Sequence, residues 1–543
     1  MPGRRAPEPR RTLAAVTGLI LVATLAGSAA AAPGGNQKGG FKTTVPAMLM
    51  EGADAPDGVV IDPIISVGDR LGNGFLFDSL PDGISFTRSG SGRADLYVNH
   101  ETSLVPFPGT LTDFTNSHVD RLAMNQQSGG ILSGRDAIPS SANYQRFCSN
   151  FLAGPAEGFD RRILFTNEEA TDVVNRQGLA WPAIPSVGSQ PEQAGVVVAL
   201  DIASGEYRTI YGMGRHNHEN SVAIPGYEEL VVLSGDDTFS APASQVYSYI
   251  APDSDAVWND EGELWAFVGE TGYNDYGDLA VGDDITGHFT PVPRAVALGD
   301  QTALEIWSNA NNVFQFIRIE DIAYDRNDSH IVYMADTGEP RARAWRTGDP
   351  PALQTRLVRG SSGTNGLYPN GRIFRFVFNA DDPTVVDSLS ILIDADLGGY
   401  ANAGVIHQPD NLETTAGSLL IQEDPGGHNQ NPAATGYPAF PGATNARVWR
   451  YDLETGDLHQ VLEVDQSLDG DPRYDVGTAV AGAGGWESSG IIDASSIWGP
   501  GWFLLDIQAG SLILESEPGF LGPNAVTFER EGGQLLRVYI PGA

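Results

Sequence analysis

The chain is marked by short apolar runs that each end on carboxylates. Leu230-Val-Val-Leu233 leads to Asp236-Asp237, Ile331-Val-Tyr-Met334 to Asp336, Leu419-Leu-Ile421 to Glu423-Asp424, and Phe503-Leu-Leu505 to Asp506. Runs this short, bounded by turn residues, predict buried strands. Each is preceded by an acid, in turn Glu219, Glu320, Asp410 and Glu487, lying 18, 16, 14 and 19 residues before the last acid of its run. Ile163-Leu-Phe-Thr-Asn-Glu168-Glu169 reads as an earlier copy of the same pattern. One layout repeated four or five times predicts a repeat architecture.

Between these copies lie strand–turn–strand signals. Val196–Asp201 leads through Ser204-Gly205 into Tyr207–Tyr211, and Val448–Asp452 through Thr455-Gly456 into Leu458–Leu462. Gln245–Tyr249 is expected to pair with Glu263–Val268, and Arg372–Phe378 with Ser388–Ile393. A carboxylate-bearing pair plus an outer pair makes four strands, the blade of a β-propeller. The expected fold is therefore all-β, a propeller of six blades with long inserted loops, forming one domain over residues 46–543. The final run, Leu535–Ile540, is expected to complete a blade begun near the N-terminus, which removes free sheet edges.

The N-terminal segment changes the picture of where the chain works. Arg4, Arg5, Arg10 and Arg11 precede an apolar run from Leu13 to Leu25, and small residues Ser28–Ala32 follow. That predicts a signal peptide over residues 1–32, with a run too short to span a membrane. Arg10-Arg11 gives it a twin-arginine look. Residues 33–45 are expected to be a flexible linker, and the protein to be secreted or at the cell surface. Formal charge is −37, from 69 acids against 32 lysines and arginines. Such a surface repels nucleic acid and anionic membranes. The expected partners are small-molecule phosphate esters, with no nucleic acid, no stable membrane insertion and a monomeric chain. The single cysteine, Cys148, excludes an intramolecular disulfide and stands 21 residues before Glu169.

Acids at equivalent places in each repeat converge when the repeats circle an axis, and converging carboxylates require cations between them. Glu168, Glu169, Glu219, Asp236, Asp237, Glu320, Asp410, Glu423 and Glu487 supply mostly hard oxygen, which suits Ca²⁺ and Fe³⁺ or other hard cations. Asn99-His100-Glu101 and His216-Asn-His218-Glu219 each put a His-Glu pair after a strand. The sequence has no H-E-x-x-H, no C-x-x-C and no G-x-S-x-G, so zinc-protease and nucleophile-elbow chemistries are not indicated.

Cys148, Phe165-Thr-Asn-Glu168-Glu169, Gly214–Glu219, Gly235-Asp-Asp237, Arg318-Ile-Glu-Asp-Ile322, Pro409-Asp-Asn-Leu412, Trp486-Glu-Ser-Ser-Gly490 and Ile507-Gln508 occur in the order seen in PhoX-type alkaline phosphatases. The resemblance spans roughly residues 95 to 515. It implies a secreted propeller that hydrolyses phosphomonoesters at an iron and calcium cluster on its axis. Cys148 resembles the family's iron-binding cysteine, Glu169, Glu219 and Glu320 its metal-binding acids, and one of Asp236 and Asp237, with Asp237 favoured, a further such acid. Asp410, Glu423 and Glu487 also sit in family motifs. Arg318 resembles the arginine that contacts phosphate. The chain departs from the family at Cys148-Ser-Asn-Phe151, at Ile319 where the family has proline, and at Gln508-Ala-Gly510, which lacks a histidine. The competing readings are a calcium-dependent lactonase or phytase-like propeller hydrolase and a non-catalytic propeller stiffened by calcium.

Overall fold

The computed structural model describes residues 39–543 apart from 91, 107–108, 175, 177–191, 239–242, 342–364, 399–401, 426–442 and 479–481. The expected signal peptide lies outside the described residues. The chain from Gln37 to Ala543 forms one compact unit.

Six antiparallel blades surround one axis. Their inner strands are Pro81–Arg88, Phe147–Ala153, His218–Ile224, Ile319–Tyr324, Pro409–Thr414 and Glu487–Asp493, in blades one to six. Each inner strand packs against the next, and the sixth returns to the first. The ring is closed by the chain's own ends. Val60–Ser66 pairs with the last long strand, Asn524–Tyr539, with Ile65 opposite Leu535, and so supplies the outer strand of blade six. Leu49–Glu51 adds a fifth strand to blade five along Leu458–Val464. The four expected outer pairings all form. Blades three and four share a further strand, Ile285–Pro291, hydrogen-bonded to the outer strand of each. That strand covers two edges that would otherwise be exposed.

The apolar residues explain this arrangement. Each blade is buried on both faces, so its strands carry apolar runs where a one-sided sheet would show strict alternation. Clusters of buried apolar residues lie between neighbouring blades: Tyr97, Val119 and Ile138 meet Phe147, Leu164 and Val198 between blades one and two. Likewise Leu233 and Phe267 meet Ile319, Met334 and Phe374 between three and four. The hydrophobic cores are thus interblade cores, and the axis is left to polar groups.

The segment 39–45, expected as the second half of a linker, is instead tied down. Phe41 exchanges backbone hydrogen bonds with Ile131 of blade one, Thr43 N donates to Ile64 O, and Lys42 pairs with Asp62. Its buried or half-buried residues give it a fixed place against blades one and six.

Candidate metal centre

Every blade breaks register once between its first and second strands, near the start of the inner strand. In blade two, Phe147 pairs with Glu168 and Asn150 with Thr166, so three steps on one strand match two on the other. The same shift occurs in the other five. Such a bulge bends the strand and re-aims its side chains. Here it delivers the second residue of the inner strand to the axis: Asp82, Cys148, Glu219, Glu320 and Asp410 in blades one to five, with Ser489 in the matching place in blade six.

The second strand contributes another row. One residue past its pairing with the inner strand lie Glu101, Glu169, Asp237, Thr337 and Asp424; in blade six the pairing runs one step further, setting Gln508 opposite Glu487, and both join the row. Together the two rows form a continuous chain of donor groups. Asp82, Glu101 and Cys148 offer ligand atoms within 4.8 Å of one another, as do Cys148, Glu169 and Glu219, then Glu219, Glu320 and Asp410, then Asp410, Asp424 and Glu487. Each set shares a member with the next. The Cys148 Sγ lies 3.0 Å from both Asp82 Oδ2 and Glu219 Oε1. Gln508 Nε2 donates to Asp82 and Glu101 at 2.9 Å each.

Electrostatics follow from this crowding. Burial, followed by repulsion from neighbouring acids, raises Glu169, Glu219, Asp410 and Glu487 well above the ordinary carboxylate range. Glu320 is raised by burial and by Asp237, and Arg318 only partly offsets this. Burial lifts Glu101 to about 8, with Asp82 adding to it. Asp82 itself is lifted to about 6 by burial, against hydrogen bonds from Cys148 and Ser489. The Cys148 thiol is pushed up by burial and then by the same acids. Two buried carboxylate oxygens, Glu219 Oε2 and Asp410 Oδ1, have no hydrogen-bond partner. Unpartnered buried oxygens are costly unless a proton or a cation meets them.

Arg318 lies in the ring, 6 % exposed. Its Nε and Nη2 donate to the two Asp237 oxygens at 2.6 Å each, and Nη2 sits 2.9 Å from Glu320 Oε1. Asp321, three residues on, does not pair with it. Asp321 accepts from Asn220 Nδ2 and Leu412 N, away from Arg318.

The structure brings together Cys148, Glu169, Glu219, Glu320, Asp410 and Glu487 as expected candidates, and places Asp237 on Arg318 beside them. Glu423 requires correction. Its carboxylate is fully buried against Arg447, with Nε at 2.9 Å and Nη2 at 2.8 Å, and also accepts from His407 N and Trp449 Nε1. Asp424, the next residue, takes the axial place. Glu168 is held in the same way by Arg176 and by the amides of Gln145 and Gly195. In these two acid pairs the first residue therefore ties its own blade together, and the second faces the axis. Asp82 and Glu101 complete the ring on the blade-one side. Asp82 stands in Pro81-Asp82-Gly83, which reads as a turn, and Glu101 carried only the signal of a His-Glu pair.

Immediately beyond the ring the axis is closed by small polar residues. Ser149 Oγ donates to Glu219 and accepts from Asn411 Nδ2, Asn220 bonds Asp321, and Gly490 N donates to Asn411. Only glycine fits at Gly490, where φ is +43° and a Cβ would lie 2.4 Å from Asp82 O. The same holds at Gly83, where a Cβ would lie 2.4 Å from Asn150 N. On the far side of this plug a cavity of about 710 Å³ opens among the other ends of the inner strands, with Arg88, Tyr324, Arg326 and Glu413 on its wall.

No family model and no curated protein matches the chain. Among solved structures it is similar to a protein of unknown function from Dyadobacter fermentans, at 9 % identity and TM-score 0.40, over 89 % of this chain and 100 % of that one. It is also similar to an α-L-arabinanase from Penicillium chrysogenum, at 8 % identity and TM-score 0.37, over 92 % of this chain and 100 % of that one. A third is the catalytic domain of a Coprinopsis cinerea GH62 α-L-arabinofuranosidase, at 9 % identity and TM-score 0.29, over 77 % and 97 %. Likeness at this level assigns no activity to the chain, and the fold rests on its own closed ring of blades.

Proposed function

We propose that the axial ring is a metal centre and that the protein is a secreted metal-dependent phosphoesterase acting on phosphomonoesters. The observation that carries this reading is a set of converging carboxylates with one thiol, two of whose buried oxygens lack partners, in contact with a single buried arginine. The residues fit the group. Asp82, Glu101, Glu169, Glu219, Glu320, Asp410, Asp424 and Glu487 offer hard oxygen to Ca²⁺ and Fe³⁺, and Cys148 offers a sulfur suited to the transition metal. Bound there, such ions supply Lewis acidity toward phosphoryl oxygens and offset the acidic field that repels an anionic substrate.

The chain's own residues do the rest. Arg318 already holds a planar pair of oxygens, those of Asp237, in the two-point geometry that a phosphate also presents. Its position between Asp237 and Glu320 fixes where an anion can approach the ring. Gln508 orients Asp82 and Glu101 by donating to both. The interblade hydrogen bonds of Ser149, Asn220, Asp321 and Asn411 close the axis, so substrate reaches the ring from one end only. The apolar N-terminal run agrees with export, and no helix among the described residues is long and apolar enough to cross a membrane.

The test is hydrolysis of p-nitrophenyl phosphate by purified protein, in calcium and after chelation, with metal analysis of the same samples. Phosphate release that disappears on chelation and returns with metal is the expected result. Metal-replete protein that releases no phosphate overturns the phosphoesterase reading, and leaves a different propeller hydrolase or a calcium-stiffened binding module.

A further inference from the structure

We infer that His100, His118 and Asp120 form a second metal site, for a divalent transition ion such as zinc, on the face of blade one turned toward blade six and apart from the axial ring. His100 and His118 are direct cross-strand partners, and Asp120 lies two residues beyond His118 on the same strand. Cross-strand partners and residues two apart share one face of a sheet. Their ligand atoms all lie within 4.8 Å of one another, and all three residues are buried.

The second contacts of the two rings point to a ligand. His100 Nδ1 lies 2.9 Å from Ser79 O, and His118 Nδ1 lies 3.2 Å from Asn116 O. A carbonyl only accepts, so each Nδ1 carries the hydrogen. In a neutral ring the lone pair is then on Nε2. A histidine whose Nδ1–H is held by a backbone carbonyl is oriented as metal-binding histidines are. His100 Nε2 faces Asp120 Oδ2 at 2.9 Å, so either a proton or a metal ion must lie between the nitrogen and the carboxylate. His118 Nε2 is 4.0 Å from Asp120 Oδ1, a buried oxygen without a hydrogen-bond partner. The two rings stack with centroids 4.4 Å apart and planes 6° apart.

A tetrahedral ion with bonds of about 2.0–2.1 Å sets its ligands about 3.3 Å from one another. The 2.9 Å and 4.0 Å separations bracket that spacing, so sub-ångström movements suffice. Asp136, an exposed residue outside that cluster, is the cross-strand partner of Asp120 on the next strand, and water is the simplest fourth ligand. Two imidazoles with carboxylate suit zinc and its neighbours and do not suit calcium, which takes oxygen. The ion pins the second and third strands of blade one to each other, at the junction where the chain's two ends close the propeller. It does not depend on the proposed phosphoesterase activity.

The experiment loads calcium-saturated full-length protein with one equivalent of Co²⁺ and records visible absorption and bound metal. The expected band is that of four-coordinate cobalt. It is lost in His118→Gln and Asp120→Asn, with affinity for Zn²⁺ reduced more than about a hundredfold. It persists in a Glu219→Gln, Asp410→Asn double variant that disables the ring. A band unchanged by His118→Gln, or wild-type protein that takes up neither Co²⁺ nor Zn²⁺ at micromolar free concentration, overturns the proposal and leaves a proton between His100 and Asp120. Should the variants fail to fold, zinc-edge X-ray absorption of the wild-type protein decides the matter. Imidazole scattering is expected, and a shell of oxygen and sulfur alone overturns the site.

Discussion

Replacing Glu423 and Asp424 separately tests the division of labour within an acid pair, because the neighbours are alike in charge and opposite in role. Glu423 has no exposed side-chain surface, and its partner Arg447 has 2 %. Glu423→Gln leaves a buried guanidinium without its counter-charge, a loss of about 3–5 kcal/mol. For a unit of roughly 500 residues, an unfolding entropy of about 2.1 cal/mol/K per residue gives about 1 kcal/mol/K, so this loss lowers Tm by about 3–5 °C. The fall persists in EDTA, since the ion pair owes nothing to metal, and metal content stays at the wild-type level. Asp424→Asn removes one like charge from the ring. Its Tm in EDTA is equal to or above wild type, while metal affinity falls about tenfold or more. Differential scanning fluorimetry with and without EDTA, beside metal analysis, reads both. If Glu423→Gln strips metal while Asp424→Asn melts about 3–5 °C early in EDTA, the assignment of the two acids is refuted.

Arg318→Lys keeps the charge but loses the two-point fork. It is expected to fold, keep its metals and lose about ten- to a thousand-fold in kcat/KM on p-nitrophenyl phosphate; a wild-type rate makes Arg318 a plain ion-pair residue. Cys148→Ala is expected to shed transition metal while retaining calcium and fold, and full iron content in that variant reduces Cys148 to packing. In chelated protein the folded state holds protons that the unfolded chain has released, because burial lifts Asp82 to about 6, Asp321 to about 7 and Glu101 to about 8. Stability of the metal-free form therefore falls as pH rises from about 4 through about 8. A Tm in EDTA that climbs over that interval contradicts the burial of these acids.

Much of the architecture was readable because propeller blades are built from contiguous hairpins. The four outer pairings, the closing strand at Leu535 and one blade per repeated acid pattern all depend on local sequence and short turns. Cys148, Glu169, Glu219, Glu320, Asp410 and Glu487 were readable for the same reason: each stands at a fixed offset from an apolar run. Glu423 was confused with Asp424 because both end the same strand, and sequence assigns them one chemistry. Only the partner decides, and Arg447 lies 24 residues on, across a pair of strands. Asp82 was hidden by Pro81 and Gly83, whose turn character belongs here to a bulge and to a tight approach between blades. The partner of Arg318 comes from blade three, and no local pattern in blade four points to Asp237.

The bulge accounts for what the pattern could not show. Strict alternation sends consecutive residues of a strand to opposite faces. Yet Cys148 and Ser149 both reach Glu219, and Glu320 lies in the ring while Asp321 next to it bonds Asn220 and Leu412 across two interblade seams. One extra residue per inner strand sets two consecutive side chains opposite a single residue of the second strand, and so frees both for the axis. The first of the two residues can then gather charge around a cation while the next one, Ser149, Asn220, Asp321 or Asn411, with glycines in blades one and six, joins the blades beneath it. Had the inner strands been regular, either the donors or the polar plug would face an interblade core, where an unpaired carboxylate costs several kcal/mol. The six register shifts are therefore what allows an axis this acidic to sit inside a propeller whose interblade cores are otherwise apolar.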